Sequence, residues 1–325
     1  MGIRRWVCAA WVLLALAGGA QAQLDWAKQP VKVMADQALP VIDGSASGQA
    51  RLFVLQDWSQ PLPQVKRAVV VIPGVDRAAD IGRQALAQLV AQGPAPASET
   101  LGIVIQFPIL ADVKAHKLPA ATLYWDVFGW AVGTQSEGPA SVSAFAVVDA
   151  VLARLADPAR FPALQQVVVA GHSAGGQFVQ RYAVVVRGEA PLLARGIAVR
   201  YVVANPSSYL YFDTQRPSGD GFAAFNGAAC PQFNRYRFGL ENLPRYAEGE
   251  DVSGLEAAYL KRRVIYLLGT EDSNPHHPAL DRSCMAEAQG PHRFARGQAY
   301  MRYLRARHPD FTPAVWPVRG VGHQE

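Results

Sequence analysis

Three short segments hold the residue types that nucleophilic acyl chemistry requires. Residues 171–175 read Gly-His-Ser-Ala-Gly, a G-x-S-x-G pattern with Ser173 as the candidate nucleophile. A serine hydroxyl is a weak nucleophile and needs a base that a third group orients. His323, in Gly320-Val321-Gly322-His323, follows an apolar run in a glycine-flanked loop and is the candidate base. Among the seven histidines, His172 is carried on the serine turn itself, and His116, His292 and His308 lie in polar surroundings. The orienting acid is expected past a strand and between serine and histidine in chain order. Asp272, in Gly269-Thr270-Glu271-Asp272, meets both conditions, with Glu271 and Asp213 as its competitors.

Attack on a carbonyl also develops an oxyanion that needs fixed donors. The backbone N–H of Ala174 is one candidate. The turn Pro73-Gly74-Val75-Asp76-Arg77 supplies Val75 N–H as the second, because Pro73 has no N–H to give. Trp125, Trp130 and Tyr209 are candidate walls for an acyl or aryl group, with ordinary core packing as their other reading. Asn274-Pro275-His276-His277 with Asp281 lacks a third ligand at diagnostic spacing, so no metal is expected. The chain has neither a dinucleotide fingerprint nor a P-loop, and no cofactor is expected.

These residues need a scaffold, and the apolar pattern supplies one. Strands are expected at Arg51–Leu55, Ala68–Ile72, Gly102–Phe107, Gln166–Ala170, Ile197–Ala204, Arg263–Leu268 and Ala314–Val318, several of them apolar throughout, as in strands buried on both faces. Helices are expected at Ala78–Ala91, Pro139–Ala156, Ser173–Val186 and Arg296–Ala306. Val167–Ala170 leads directly into the serine turn, and Phe178, Tyr182 and Val186 follow at helical spacing. That strand–turn–helix context lifts the hydroxyl out of the sheet and sets it at a helix N-terminus, whose dipole favours negative charge. Residues 23–50 read as an extended, polar lead-in. Between about 206 and 261 the rhythm breaks into an aromatic-rich insertion with no clear strand, of the kind that serves as a lid or binding loop.

With half of its 325 residues hydrophobic and 18% charged, the chain has globular composition and enough length to bury a large core. Residues 1–22 read as a secretory signal: Arg4 and Arg5, an apolar run from Trp6 to Leu16, then Ala20-Gln21-Ala22 before a cut at Gln23. The apolar run is short for a membrane span of ~20 residues, and no stable membrane insertion is expected after cleavage. A periplasmic or secreted domain of residues 23–325 results. Its formal charge falls from +5 to +3 as Arg4 and Arg5 leave, and its basic residues are scattered, which argues against nucleic acid as a partner. Cleavage also removes Cys8 and leaves Cys230 and Cys284, an expected disulfide in an oxidising compartment, with two free buried thiols as the alternative.

Several short motifs occur in order: Pro-Gly-Val-Asp-Arg at 73–77, Gly-His-Ser-Ala-Gly-Gly-Gln-Phe-Val at 171–179 and Ala-Asn-Pro-Ser-Ser-Tyr at 204–209. Gly-Thr-Glu-Asp at 269–272, Ala-Gln-Gly-Pro-His-Arg at 288–293 and Gly-Val-Gly-His at 320–323 complete the series. Over residues 65–323 the chain resembles secreted bacterial serine esterases of the α/β-hydrolase superfamily, similar to polyhydroxyalkanoate-depolymerase-like and feruloyl-esterase-like enzymes. The resemblance implies an α/β-hydrolase fold: a mostly parallel central sheet flanked by helices, with the aromatic-rich insertion between its sixth and seventh strands. It also implies a Ser173–Asp272–His323 triad acting on a small or polymeric ester. The chain stops two residues past His323, where such hydrolases usually continue into a packed helix, so either neighbouring loops hold the imidazole or the sequence is clipped. Two other readings keep the fold: a binding protein without catalysis, separated by its failure to turn over activated esters, and an acyltransferase on the same triad, separated by its products with added alcohols.

Overall fold

The computed structural model describes residues 28–323, so the signal segment expected at 1–22 and its cleavage point lie outside the described residues. The extended lead-in contains a strand that pattern reading missed. β1 (Gln37–Asp43) turns at Gly44-Ser45 into β2 (Ala46–Val54), and the two pair antiparallel. Gly44 has φ +64°, a conformation that glycine adopts without steric cost. Only Leu39 and Val41 of β1 are buried, and Pro40 between them lacks an N–H. Such a strand tolerates proline because it lies at the sheet edge.

The remaining strands are β3 (Arg67–Ile72), β4 (Thr100–Gln106), β5 (Gln166–His172), β6 (Ala198–Ala204), a two-stranded hairpin of β7 (Gln215–Ser218) and β8 (Gly221–Ala224), then β9 (Arg263–Gly269) and β10 (Ala314–Val318). The eight-stranded sheet runs β1-β2-β4-β3-β5-β6-β9-β10; the pairs from β4 to β10 are parallel and only the β1–β2 and β2–β4 pairs are antiparallel. The chain reverses direction across β3, so the C-terminal ends of β3 and β5 lie side by side, with Ile72 in register with Gly171. In open α/β sheets that switch point is where ligands bind.

Alternation along β3 assigns the two faces. Ala68, Val70 and Ile72 enter the large core, whereas Val69 and Val71 pack on a small one formed by Ala35, Phe53, Ala79, Leu86 and Val104. Helix α1 (Ala79–Gln92) covers the small core. α2 (Leu110–Ala115) follows β4. The large core is covered by α3 (Ala144–Leu155), which begins five residues later than the apolar pattern suggests because Ser143 caps it by accepting from Phe145 N–H, and by α4 (Ala174–Val185). After α5 (Ala190–Ala194) and β6, the insertion contains the short hairpin and α6 (Val252–Lys261). α7 (Cys284–Glu287) and α8 (Arg293–Arg307) complete the domain, and α8 begins before the predicted Arg296 because His292 Nδ1 accepts from Ala295 N–H.

The insertion lies between the sixth and seventh strands of the large sheet, as the resemblance implies. Its aromatic residues pack largely against the rest of the domain: Tyr209 stacks on Tyr300 and Tyr211 leans on Tyr303, both of α8, while Phe225 contacts Phe233 within the insertion. A disulfide ties the insertion at Cys230 to Cys284 of α7. Among the described residues no helix is long and apolar enough to cross a membrane.

Candidate active site

The turn from β5 into α4 puts Ser173 at φ +56°, ψ −117°, a region that side chains other than glycine rarely occupy. Strain of this kind costs on the order of 1–3 kcal/mol and survives only where surrounding structure enforces it. Three glycines permit the enforcement. A methyl group on Gly175 would run into the carbonyl oxygens of Ile72 and Pro73; on Gly176 it would meet that of Ala204, and on Gly171 the backbone of Gly175. Helix α4 therefore approaches the ends of β3 and β6 by backbone contact. Gly175→Ala should lower unfolding free energy by at least about 2 kcal/mol, since no flexible side chain can yield. Urea denaturation reads it directly, and an unchanged midpoint would count against this account of the turn.

Ser173, His323 and Asp272 come together from three segments. Ser173 Oγ lies 2.9 Å from His323 Nε2, and His323 Nδ1 lies 2.7 Å from Asp272 Oδ2. All three side chains are buried. The loop after β10 that carries the imidazole is tied to its neighbour by backbone bonds. Thr270 N–H donates to Val318 O, Glu271 N–H to Val321 O, and Gly320 N–H to Thr270 Oγ1, so the His323 loop is laced to the loop that carries Asp272. Asn205 secures the same loop by accepting Gly269 N–H at 2.8 Å. The two competitors of Asp272 are elsewhere: Glu271 is exposed, and Asp213 pairs with Arg307 and accepts from Tyr303 Oη.

Asp272 is also bound by a residue that motif reading quoted without giving it a role. Arg293, itself buried, donates from Nη1 to Asp272 Oδ1 at 3.4 Å, from Nε to Ser207 Oγ at 3.0 Å and from Nη2 to Ala279 O at 2.6 Å. Burial alone would raise the Asp272 carboxyl, but the His323 hydrogen bond and charge, with the Arg293 guanidinium, outweigh it and hold the group below the usual carboxylate range. Two more imidazoles flank His323, with ring centroids 4.8 Å away for His172 and 4.9 Å for His277. Desolvation, then repulsion from His323, pushes His172 down to about 4. His277 is lowered by desolvation, then by Arg293 and His323. His172 is thus neutral near pH 7, and both rings pack against His323. The cluster considered for metal is divided, because Asp281 bonds Arg237 at 2.9 Å and His277 Nδ1 accepts from Ala279 N–H.

The proposed oxyanion donors border the same hydroxyl. Val75 and Ser173 line both cavities at the sheet edge, and Ala174 lines the narrower one. Neither the Val75 nor the Ala174 amide has a protein acceptor among the described residues. The Val75 turn is anchored from below. Arg77, at φ +59°, pairs with the fully buried Asp112 at 3.3 Å, while Gln106 Nε2 donates to Arg77 O. The left-handed residue of this turn is thus Arg77, whereas Gly74 keeps an ordinary φ.

The three expected aromatic walls do not border either cavity. Trp125 and Trp130 are fully buried and both contact Phe107, Trp125 edge-on and Trp130 stacked at 5.1 Å. Tyr209 is also fully buried, its backbone held at both ends by the Gln289 carboxamide. The apolar wall instead comes from neighbours of Trp130, namely Phe128, Ala131 and Val132. Spacing marked the right segment, but the largest rings went into the core, where they bury most surface.

Two cavities meet at Ser173. The wider, about 740 Å³, is bordered by His323, His172, Asp76 and Ile81; the narrower, about 320 Å³, by Gln177, Ser207, Arg237 and Asp281 along with the Phe128 segment. No protein-family model and no curated protein matches the chain. Solved structures do. A poly(aspartic acid) hydrolase from Sphingomonas sp. KT-1 is 21% identical with a TM-score of 0.58, over 91% of this chain and 94% of that one. A poly(3-hydroxybutyrate) depolymerase from Bordetella parapertussis is 23% identical with a TM-score of 0.56, over 89% and 85%. The chain has the α/β-hydrolase fold.

Proposed function

We propose that this protein is an exported serine hydrolase that cleaves carboxylic esters through an acyl-enzyme on Ser173. The observation that carries the reading is the hydrogen-bonded chain from Asp272 through His323 to Ser173 Oγ, which ends beside two backbone amides that have no protein acceptor among the described residues. In the productive tautomer His323 Nδ1–H donates to Asp272, which leaves Nε2 to take the serine proton. Ser173 Oγ then attacks the carbonyl carbon, and the N–H groups of Ala174 and Val75 receive the developing oxyanion. His323 next hands its proton to the leaving alkoxide oxygen. Because His323 borders the wider cavity and not the narrower, the alcohol leaves through the wider one and the acyl chain occupies the narrower. Water enters from the alcohol side, gives its proton to His323, and the steps reverse to free the acid.

Export is supported by the signal-like residues 1–22 together with the Cys230–Cys284 bridge, since disulfides persist in oxidising compartments. Esters are favoured over amides because resonance with nitrogen makes an amide carbonyl the poorer electrophile and its C–N bond the harder to break. A fluorophosphonate should form a covalent adduct on Ser173, identified by peptide mass, and the mature protein should turn over p-nitrophenyl butyrate. An unlabelled Ser173 in a protein that leaves every activated ester intact would refute the proposal.

A further inference from the structure

We propose that the narrower cavity is an acyl subsite for chains that end in a carboxylate, bound by the Gln177 amide and the Arg237 guanidinium. The inference rests on the ester-hydrolase reading and deepens it. Its basis is the set of arginines behind the cavity wall. Gln177 lies one helical turn past Ser173 on α4 and borders the cavity. Its Oε1 accepts from both terminal nitrogens of Arg181 at 3.3 Å and from Ser208 Oγ at 3.1 Å. Three donors on one oxygen fix the carboxamide, so its NH₂ group is the end left for the cavity. Arg181 is fully buried and forms no ion pair among the described residues; its other bonds go to Arg237 O and Ser208 Oγ.

Other residues in the wall are held in the same manner. Ser207 is gripped by Arg293 at its hydroxyl and by Arg296 at its carbonyl, and Arg296 also bonds Asp281 O. Arg237 spends only Nη2 on Asp281, while its Nε and Nη1 have no protein acceptor among the described residues. The other Asp281 oxygen accepts from Ser283 N–H. Four guanidinium groups, those of Arg181, Arg237, Arg293 and Arg296, therefore stand against three carboxylates, Asp272, Asp281 and the Glu287 that neighbours Arg296. A site with surplus positive charge and two outward N–H donors suits an anionic acceptor. Its apolar side, Phe128, Ala131 and Val132, suits the methylene chain between that acceptor and the reacting carbonyl.

The distance sets the length. Four helical residues rise about 6 Å, so the chain should place its carboxylate four or five carbons beyond the reacting carbonyl, as in a glutarate or adipate half-ester. The experiment compares the monoethyl esters of succinate, glutarate, adipate and pimelate with ethyl pentanoate and ethyl hexanoate, following acid release by chromatography. The wild-type protein should favour the glutarate or adipate half-ester over its neutral counterpart by about tenfold or more in kcat/KM, mainly through KM. Gln177→Met and Arg237→Met should each lower that ratio at least fivefold. Neutral esters hydrolysed as fast as the half-esters would overturn the subsite and leave the ester reading intact. Failure to hydrolyse any of them or an activated ester would overturn the ester reading, and the subsite with it.

Discussion

Replacing Ser173 with alanine is expected to lower kcat toward an activated ester by about 10⁴–10⁶-fold while leaving the fold intact. The size of the loss comes from how the site is built. His323 Nε2 faces one hydroxyl, Ser173 Oγ, at 2.9 Å. The other hydroxyl on the cavity wall, Ser207, is held by Arg293 at 3.0 Å and cannot turn to replace it. What remains in Ser173→Ala is carbonyl polarisation by the Val75 and Ala174 amides and general-base assistance to water, which together retain only a small rate over solution. Because alanine meets the same positive φ as serine at this turn, the backbone strain is unchanged and the unfolding midpoint should stay close to that of wild type. Kinetics with p-nitrophenyl butyrate, alongside urea denaturation of both proteins, check the two halves. Retention of more than a tenth of the activity in a folded Ser173→Ala protein would remove Ser173 from the nucleophile's role.

The spacing of residues reveals far more of the backbone than of the wall around the substrate. Central strands such as Ala68–Ile72 and, past Gln166, Val167–Ala170 are apolar throughout because helices cover both faces, and that pattern requires no knowledge of neighbours. β1 escaped because only Leu39 and Val41 turn inward and Pro40 interrupts them, so an edge strand with one wet face reads as a polar lead-in. The elbow was legible for a local reason too: strand, turn and helix are contiguous, and the glycines mark backbone contact. Asp272 and His323 follow from chain order and strand ends.

Side chains that act from a distance left no comparable mark. Arg293 stands at the close of a motif, yet its bond to Asp272 depends on α8 folding back across the sheet edge. Arg77 likewise closes the Val75 turn, but its partner Asp112 is 35 residues away. Buried arginines look like surface charge in a sequence. Arg181, Arg216, Arg293 and Arg296 are each no more than 1% exposed, and they are tolerated because carbonyls, amide oxygens and hydroxyls accept most of their donors, with Arg216 Nε and Arg296 Nη2 left unpartnered among the described residues. Trp125, Trp130 and Tyr209 fail as wall residues for the converse reason: size favoured the core over the cavity.

Asp272→Asn should separate orientation from charge, and it is expected to lower kcat by about 10⁴-fold. A carboxylate can only accept, so it selects the tautomer with the proton on His323 Nδ1 and steadies the imidazolium formed as Ser173 attacks. An asparagine amide in its place can donate to Nδ1, which turns the proton-bearing nitrogen toward Ser173 and removes the base. Arg293 adds a stability cost. It would lose the one carboxylate it touches but keep Ser207 Oγ and Ala279 O, so the variant should be about 2–3 kcal/mol less stable near neutrality, below the usual 3–5 for a broken buried pair. The pH dependence has a definite sign. The Asp272 carboxyl is held below its unfolded value of about 3.9, so its contribution is complete above that pH and disappears as pH falls through the folded value. The stability gap between wild type and Asp272→Asn should therefore be full at pH 6 and shrink below pH about 4. Urea midpoints at pH 6 and pH 3 test this. An equal gap at both, with kcat within tenfold of wild type, would leave Asp272 as a packing residue and return the choice of orienting acid to an open question.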